Sequence, residues 1–216
     1  MDRTRRRVGR PPRSEAGDTR AELMAAALKL FSRNGFVGTS IRAIAREVGL
    51  SESVLYSHFR NKQDIYQAAM RMAGPQGAIT ALDALDGLDS ADPANFLVTL
   101  AERLFEIWDS PQSRQVASLL VRDGLLHDTA LSDGIESAVA RLAEVFNRWV
   151  AEGRLPADLG AAEDLAFALL APIAHARMLW LHADASPGQR RTAHDRFVRH
   201  ATLFARVTLG APAPAE

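Results

Sequence analysis

The sequence of 216 residues contains no cysteine, which excludes disulfide bonds, thiolate nucleophiles and cysteine-ligated metals. It also lacks any run of about 18 apolar residues, the length that a transmembrane helix requires. The arginine-rich beginning leads into no apolar segment, so a secretory signal is not expected. We therefore expect a cytoplasmic protein without membrane association.

Motifs for catalysis are missing as well. The sequence has no phosphate-binding P-loop, no glycine fingerprint for dinucleotides and no H-E-x-x-H metal motif. His175, His182 and Asp184 are the one candidate set of metal ligands in the sequence. Seven helical positions separate the two imidazoles by roughly 10 Å, which is too far for both to bind one ion. An enzyme is the main alternative class of protein, and the sequence offers it no catalytic motif, cofactor or metal.

Strand-like alternation and hairpin signals are also missing, so we predict an all-α fold. Apolar residues recur at helical spacing from residue 19 to 34 and again from 62 to 73. The longer helices of the second half are predicted at 93–109, 112–126, 132–152, 161–183 and 187–209.

Equal numbers of basic and acidic residues hide an asymmetry along the chain. Residues 1–62 contain 13 Lys/Arg and 6 Asp/Glu, whereas residues 63–216 contain the other 13 basic residues and 20 acidic ones. A basic segment joined to an acidic body indicates that the first part binds a polyanion.

The stretch from Thr39 to Lys62 predicts two short helices joined by a tight turn. Ser40 and Ser51 are suited to cap them, because a hydroxyl oxygen accepts a hydrogen bond from a free backbone N–H. Gly49 ends the first helix where a left-handed residue is needed. Two such helices with a polar outer face are typical of a helix-turn-helix that binds DNA.

Several short motifs occur together in and before this stretch. They are Phe31, Gly35, Phe36, Thr39-Ser40-Ile41, Ile44-Ala45, Val48, Gly49-Leu50-Ser51, Leu55-Tyr56, His58-Phe59, Lys62 and Asp64. With these motifs, residues 18–68 closely resemble the TetR-type family of bacterial transcriptional regulators. Glu52, Ser53 and Val54 stand where that family often has a basic residue, Gly and Thr, which bears on the operator sequence rather than on DNA binding itself.

The predicted DNA contacts fall into three groups. Ser40, Arg42, Tyr56, His58 and Lys62 are expected to hold phosphates. Ser51 caps the second helix, while Glu52, Ser53 and Ser57 face outward and are candidates for base edges; Glu52 either accepts from cytosine N4 or only stabilises the first turn. The basic residues of the arm at 1–17 either enter a minor groove or touch phosphates nonspecifically, and they include Arg5, Arg6, Arg7, Arg10 and Arg13.

The rest of the chain is predicted to be a regulatory body. We place a DNA-binding domain at 18–62, a helical regulatory and dimerisation domain at 63–209 and a disordered tail at 210–216. The predicted pocket for an apolar ligand is lined by Met72, Phe105, Trp108, Leu119, Phe146, Trp149, His175 and Met178. The predicted dimer interface lies on the last two helices and includes Leu169, Ile173, Phe197, Ala201 and Phe204; for both sets the alternative is ordinary core.

These expectations, with the resemblance, imply a homodimeric repressor without a cofactor. It would bind a palindromic double-stranded DNA operator and be released by a small lipophilic effector. The helix beginning near Lys62 is expected to pass the signal, because Met70 and Met72 at its far end face the body. The alternatives are an activator, or a ligand-binding helical dimer whose DNA site is vestigial.

Overall fold

A computed structural model describes residues 13–73, 76–85, 87–88, 92–124 and 129–210. Within these ranges the chain forms ten α-helices, one short 3-10 turn and no strand, which confirms the all-α prediction. The helices are α1 (Arg13–Asn34), α2 (Ile41–Glu47), α3 (Glu52–His58), α4 (Lys62–Ala73), α5 (Gln76–Asp83), α6 (Pro93–Trp108), α7 (Pro111–Arg122), α8 (Thr129–Ala151), α9 (Ala162–Trp180) and α10 (Pro187–Leu209). No helix among these residues is both long and apolar enough to cross a bilayer.

The beginning of α1 differs from the prediction. An arm without helix was expected through residue 17, whereas the helix begins at Arg13. The added segment contains neither proline nor a β-branched residue, and extending an existing helix avoids a second nucleation step. Residues 1–12, with Arg5, Arg6, Arg7 and Arg10, lie outside the described residues.

The first hydrophobic core joins α1 to the three short helices that follow it. Buried side chains come from each helix, including Phe31 of α1, Ile44 of α2, Leu55 of α3 and Ile65 of α4. Three aromatic rings pack together in this core. Tyr66 lies edge-on to Phe31, with 5.4 Å between the ring centroids, and edge-on to Phe36 at 5.0 Å. This packing continues past residue 62, so the domain boundary predicted there falls inside a packed unit.

The second core fills the body between α5, α6, α8, α9 and α10. Aromatic side chains dominate it: Phe96 lies edge-on to Trp149 at 5.5 Å, and Trp108 lies edge-on to Phe197 at 6.0 Å. An ion-pair cluster joins the end of α6 to α10 and α7. The Asp109 carboxylate accepts hydrogen bonds from Arg190 of α10, at 2.7 Å from Nε to Oδ1, and from Arg114 of α7 at 2.9 Å.

Helix α7 contributes to the first core and to a third, smaller cluster beside it. Leu119 is fully buried with the side chains of the first core. The next residue, Leu120, is 1% exposed and packs with Leu28 of α1 and Val116, with Met178 of α9 against them. The end of α7 is also hydrogen-bonded to the turn after α1, because the Phe36 N–H donates to Asp123 Oδ2 at 3.2 Å. The body therefore meets the first four helices chiefly along α7.

Helix α9 contains Pro172, which lacks the N–H that would normally bond to the carbonyl of Ala168. His200 of α10 supplies a substitute donor. Its Nε2 lies 3.3 Å from the Ala168 oxygen and 3.1 Å from that of Leu169. The contact compensates α9 for the missing bond and fixes α10 against it.

Candidate nucleic-acid interface

The two short helices α2 and α3 are capped as their sequence predicts. Ser40 accepts from the Ala43 N–H at 3.1 Å, and Ser51 accepts from the Val54 N–H at 3.4 Å. Between the helices the Leu50 N–H donates to the Ala45 oxygen at 2.9 Å, and the Gly49 N–H donates to the Arg46 oxygen at 3.1 Å. This pair of bonds is the Schellman motif, which closes a helix through a left-handed residue. The turn therefore sets the angle between α2 and α3.

Gly49 has φ of +71° in this turn, and no atom would lie within 4 Å of an added Cβ. We expect Gly49→Ala to lower the free energy of unfolding by about 1 kcal/mol, through backbone strain alone. Gly153, also at φ of +71° with open space around it, provides the matched control in the body. Thermal denaturation should show similar losses for both, whereas a gel shift should show weaker DNA binding only for Gly49→Ala. Equal DNA affinities for the two variants would contradict a role for the turn geometry.

The outer face of α3 is polar and accessible, and its inner face is apolar. Ser53, Ser57 and Tyr56 are exposed, with 52% of the Tyr56 surface accessible, whereas Leu55 is fully buried. Ser40 and Arg42 on α2 are exposed as well. Hydroxyl and guanidinium groups on one accessible surface are suited to phosphate oxygens and base edges.

Some of these hydroxyls already have local partners. The Oγ atoms of Ser51 and Ser53 are 2.9 Å apart, and Ser57 donates to the Val54 carbonyl at 2.6 Å. A hydroxyl that donates to a carbonyl still accepts through its lone pairs. The Ser57 oxygen is therefore better suited to a base donor, such as an amino group, than to a phosphate.

Glu52 has a structural partner across the turn. Its Oε1 lies 3.9 Å from Nε of Arg42, and both side chains are largely exposed. An exposed pair at this distance contributes little to stability. The contact does, however, hold the carboxylate beside the guanidinium that is expected to bind phosphate.

The Lys62 ammonium points into the domain. It donates to the Phe36 carbonyl at 2.7 Å and the Thr39 carbonyl at 2.8 Å, and lies 4.3 Å from the centre of the Phe36 ring. Two of its three donors are thus used by the loop between α1 and α2. Lys62 therefore supports that loop, and a phosphate contact through its third donor stays a prediction. His58 is half-buried at the end of α3.

Two further contacts support the interface from behind. The Arg20 guanidinium lies 4.8 Å from the centre of the Phe59 ring, which fixes α1 against the end of α3. Lys29 of α1 pairs with Glu47 of α2 at 2.5 Å, and the bond to Lys29 lowers the pKa of the Glu47 carboxyl. Support of this kind holds α2 and α3 at fixed positions.

One basic residue near this surface was not predicted from the sequence. Arg60 is exposed in the turn between α3 and α4. That turn is held by two reciprocal bonds, because Asn61 accepts from the Asp64 N–H at 2.8 Å and Asp64 accepts from the Arg60 N–H at 3.1 Å. The positive charge of Arg60 next to the predicted recognition helix could have identified it from the sequence. Arg60 is therefore a further candidate for a phosphate contact.

A cavity of about 270 Å³ lies in the body between α6, α7, α8 and α9. Its walls are mainly apolar, with Leu120, Val139, Leu170 and Met178 among them. Three of the predicted pocket residues, Trp108, His175 and Met178, line it. The side chain of Met72 lies outside the described residues.

The other predicted pocket residues do not line this cavity. Leu119 is buried in the first core, on the opposite side of α7. Phe146 and Trp149 are fully packed in the second core at 1% exposure, and Phe105 lies edge-on to His194 and Phe197. Helical spacing identifies an apolar face, but core and cavity wall have the same composition. These four side chains are packed within the cores of the single chain.

The predicted dimer residues are mostly interior. Leu169, Ile173, Phe197 and Ala201 are at most 1% exposed within the single chain, and Phe204 is half-buried. The prediction selected the inner face of the last two helices. Their outer face carries different apolar side chains, since Phe167 is 57%, Leu203 61% and Val207 68% exposed. These three residues are called the outer strip below.

Comparison with known proteins places this arrangement in a family. Residues 23–69 match the family model described as bacterial regulatory proteins, tetR family. The chain is similar to the HTH-type transcriptional regulator SrpR of Pseudomonas putida, with 26% identity over 156 residues that span 70% of each protein.

The fold is likewise shared with solved structures. A TetR-family transcriptional regulator from Pectobacterium atrosepticum superimposes with a TM-score of 0.62 and 19% identity, covering 94% of this chain and 100% of the other. NalD of Pseudomonas aeruginosa, the secondary repressor of the MexAB-OprM multidrug efflux pump, gives a TM-score of 0.66 and 20% identity, covering 91% and 98%. Residues 23–69 therefore form a DNA-binding domain of the tetR family, and the chain as a whole has the fold of solved TetR-family regulators.

Proposed function

We propose that this regulator is a homodimeric repressor that leaves a palindromic operator when a small lipophilic molecule binds in its body. The main support for DNA binding is the exposed polar face of α3. The turns of its domain are fixed by capping side chains and by Gly49. The resemblance to NalD, whose name describes a repressor, supports repression. The protein is expected to act in the cytoplasm, where its DNA is.

The outer strip is the proposed dimer interface. Leu203 and Val207 are one helical turn apart on α10, and Phe167 lies on α9 close to the backbone that His200 contacts. Exposed apolar residues grouped on one surface mark a site of association. A two-fold dimer also matches the geometry of a palindromic operator, because each protomer then reads one half-site.

The proposed signal passes through α7. Leu120 forms part of the cavity wall, and its neighbour Leu119 is packed among the residues that support α2 and α3. A ligand that displaces Leu120 moves α7 and with it the contacts to α1 and to Phe36. The route predicted through Met70 and Met72 of α4 involves side chains outside the described residues, and α7 provides an alternative one.

Selection of bound fragments from genomic DNA, followed by gel shifts, tests the DNA-binding part. Tyr56→Phe removes one exposed hydroxyl and should weaken binding to all selected sequences by about tenfold. Ser53→Ala is the matched change at a candidate base contact, and should alter sequence preference more than affinity.

If no fragment is retained while ligands still bind, the DNA site is vestigial. A reporter gene that is more active in the presence of the protein would indicate an activator.

A further inference from the structure

Helix α9 is more apolar than its place in the single chain requires. Residues 165–176, about three turns of it, contain no Asp, Glu, Lys or Arg. Leu169 and Ile173 of this stretch are buried, but on the opposite side Phe167 is 57% exposed and Ala174 is exposed as well. A helix that is apolar all round is normally buried all round. The open side of α9 is therefore expected to be covered in the assembled protein.

The same open side of α9 forms a wall of the cavity. One stripe of the helix lines it at helical spacing, namely Phe167, Ala171, Ala174, His175 and Met178. On α8, Ile135 lines the cavity too and is 42% exposed. Because exposed side chains of both helices line it, the cavity reaches the surface of the single chain there. Phe167 thus belongs both to the cavity wall and to the outer strip, the proposed dimer interface.

Charged groups around the outer strip indicate a second copy of this chain as the cover. Glu163 and Asp164 are exposed in the first turn of α9, and Arg199 and Arg206 are exposed on α10. Among the residues that the structure describes, none of these four forms an ion pair. An apolar centre flanked by both signs is self-complementary under a two-fold rotation, because acidic groups of each protomer can meet basic groups of the other. A partner with one sign of charge would leave one of the two sets unpaired.

We infer that in the homodimer the partner protomer covers Phe167 and closes the cavity, so that an apolar ligand is enclosed by both protomers together. The inference rests on the proposed dimer and ligand response, and it adds that the ligand site is incomplete in one protomer. The enclosed cavity extends from the interface at Phe167 to Leu120 of α7, whose neighbour Leu119 packs in the first core. A ligand there acts on α7 without separating the protomers, so the protein leaves DNA as a dimer.

Closure by the partner links ligand binding to dimerisation. A ligand that contacts both protomers binds the dimer more tightly than the monomer, and by reciprocity it strengthens the dimer by the same factor at each site. With about tenfold at each site, two occupied sites strengthen the dimer by about 100-fold. A cavity complete within one protomer would give no such linkage.

Fluorescence titration of the full-length protein with N-phenyl-1-naphthylamine, an uncharged aromatic probe that brightens in apolar sites, tests the first half of this linkage. The double variant Leu203→Glu and Val207→Glu, changed outside the cavity, should be monomeric and bind the probe at least about tenfold more weakly than the parent. Val121→Glu is the matched control and should bind it as the parent does. Equal affinities of the double variant and the parent, or no binding by the parent, would overturn the inference.

A variant within the cavity shows where the probe binds. Ala138 is buried on α8 and lines the cavity, so Ala138→Phe fills part of it and should weaken probe binding by at least about tenfold. Circular dichroism checks that this variant is folded. Retained affinity in the folded variant would place the probe outside the cavity and contradict the inference.

Sedimentation of the parent protein over a range of concentrations provides the reciprocal measurement. Saturating probe should lower the dissociation constant of the dimer by about 100-fold. An unchanged constant, or a dimer that separates when the probe binds, would refute closure by the partner. This measurement uses no variant and is independent of how the substitutions fold.

Gel shifts with selected operator fragments distinguish this inference from the proposed function. If the probe strengthens the dimer and also releases DNA, both are supported. If it strengthens the dimer but leaves the gel shift unchanged, the shared site stands and release by ligand fails. If it releases DNA while binding monomer and dimer equally, the ligand response stands and closure by the partner fails.

Discussion

The double variant Leu203→Glu and Val207→Glu should be a folded monomer with operator affinity reduced by about 100-fold or more, because two linked half-site contacts gain at least that factor over one. Both side chains are more than 60% exposed in the single chain, at 61% and 68%, so a carboxylate at either position remains solvated in the monomer. In the dimer the same carboxylates would be buried without partners. Analytical ultracentrifugation measures the association state of the variant, and circular dichroism measures whether it is folded.

Val121→Glu is the matched control for this change. Val121 is 57% exposed on α7 and lies outside the outer strip, so the same new charge should leave the dimer and operator binding intact. A dimer that survives the double substitution would show that the interface lies elsewhere on the molecule.

Phe197→Ala is expected to have the largest effect on stability. Phe197 is fully buried, and its ring lies edge-on to Phe105 at 6.1 Å and to Trp108 at 6.0 Å. Removing a buried phenyl ring creates a cavity and costs about 3–5 kcal/mol. For a chain of this size the melting temperature should fall by on the order of 10 °C, measured by calorimetry.

Leu203→Ala on the same helix provides the comparison, at a concentration low enough to keep the protein monomeric. Leu203 is largely exposed, so its truncation should change the unfolding free energy of the monomer by less than about 0.5 kcal/mol. Similar losses for the two variants would mean that Phe197 is not part of a packed core.

The sequence was sufficient for the parts of the fold that depend on local chemistry. Ser40 and Ser51 were predicted as caps and Gly49 as the turn residue, and each has the expected bond or φ angle. Their signals depend on neighbours within a few positions, such as the Ala43 N–H three residues after Ser40. Local rules therefore located the helix-turn-helix to within a residue or two.

The contacts between distant segments could not be predicted in the same way. An apolar residue such as Phe197 has the same helical spacing whether it faces its own core or a partner chain. Lys62 was assigned to DNA because its charge lies beside the recognition helix, but its acceptors are the Phe36 and Thr39 carbonyls, more than 20 positions earlier in the sequence. Such contacts depend on which distant segments pack together, and helical spacing and local charge do not specify that packing.

The position of Leu119 and Leu120 limits how this regulator can be recombined with others. A hybrid that joins the first four helices to a foreign ligand-binding body would lose Leu119, a side chain buried within the first core although it lies on α7. The graft would leave an unfilled space beneath α2 and α3, and its DNA-binding half would be less stable than in the parent. Designers of biosensors from this chain should therefore move α7 together with the DNA-binding helices and rebuild the cavity wall around Leu120.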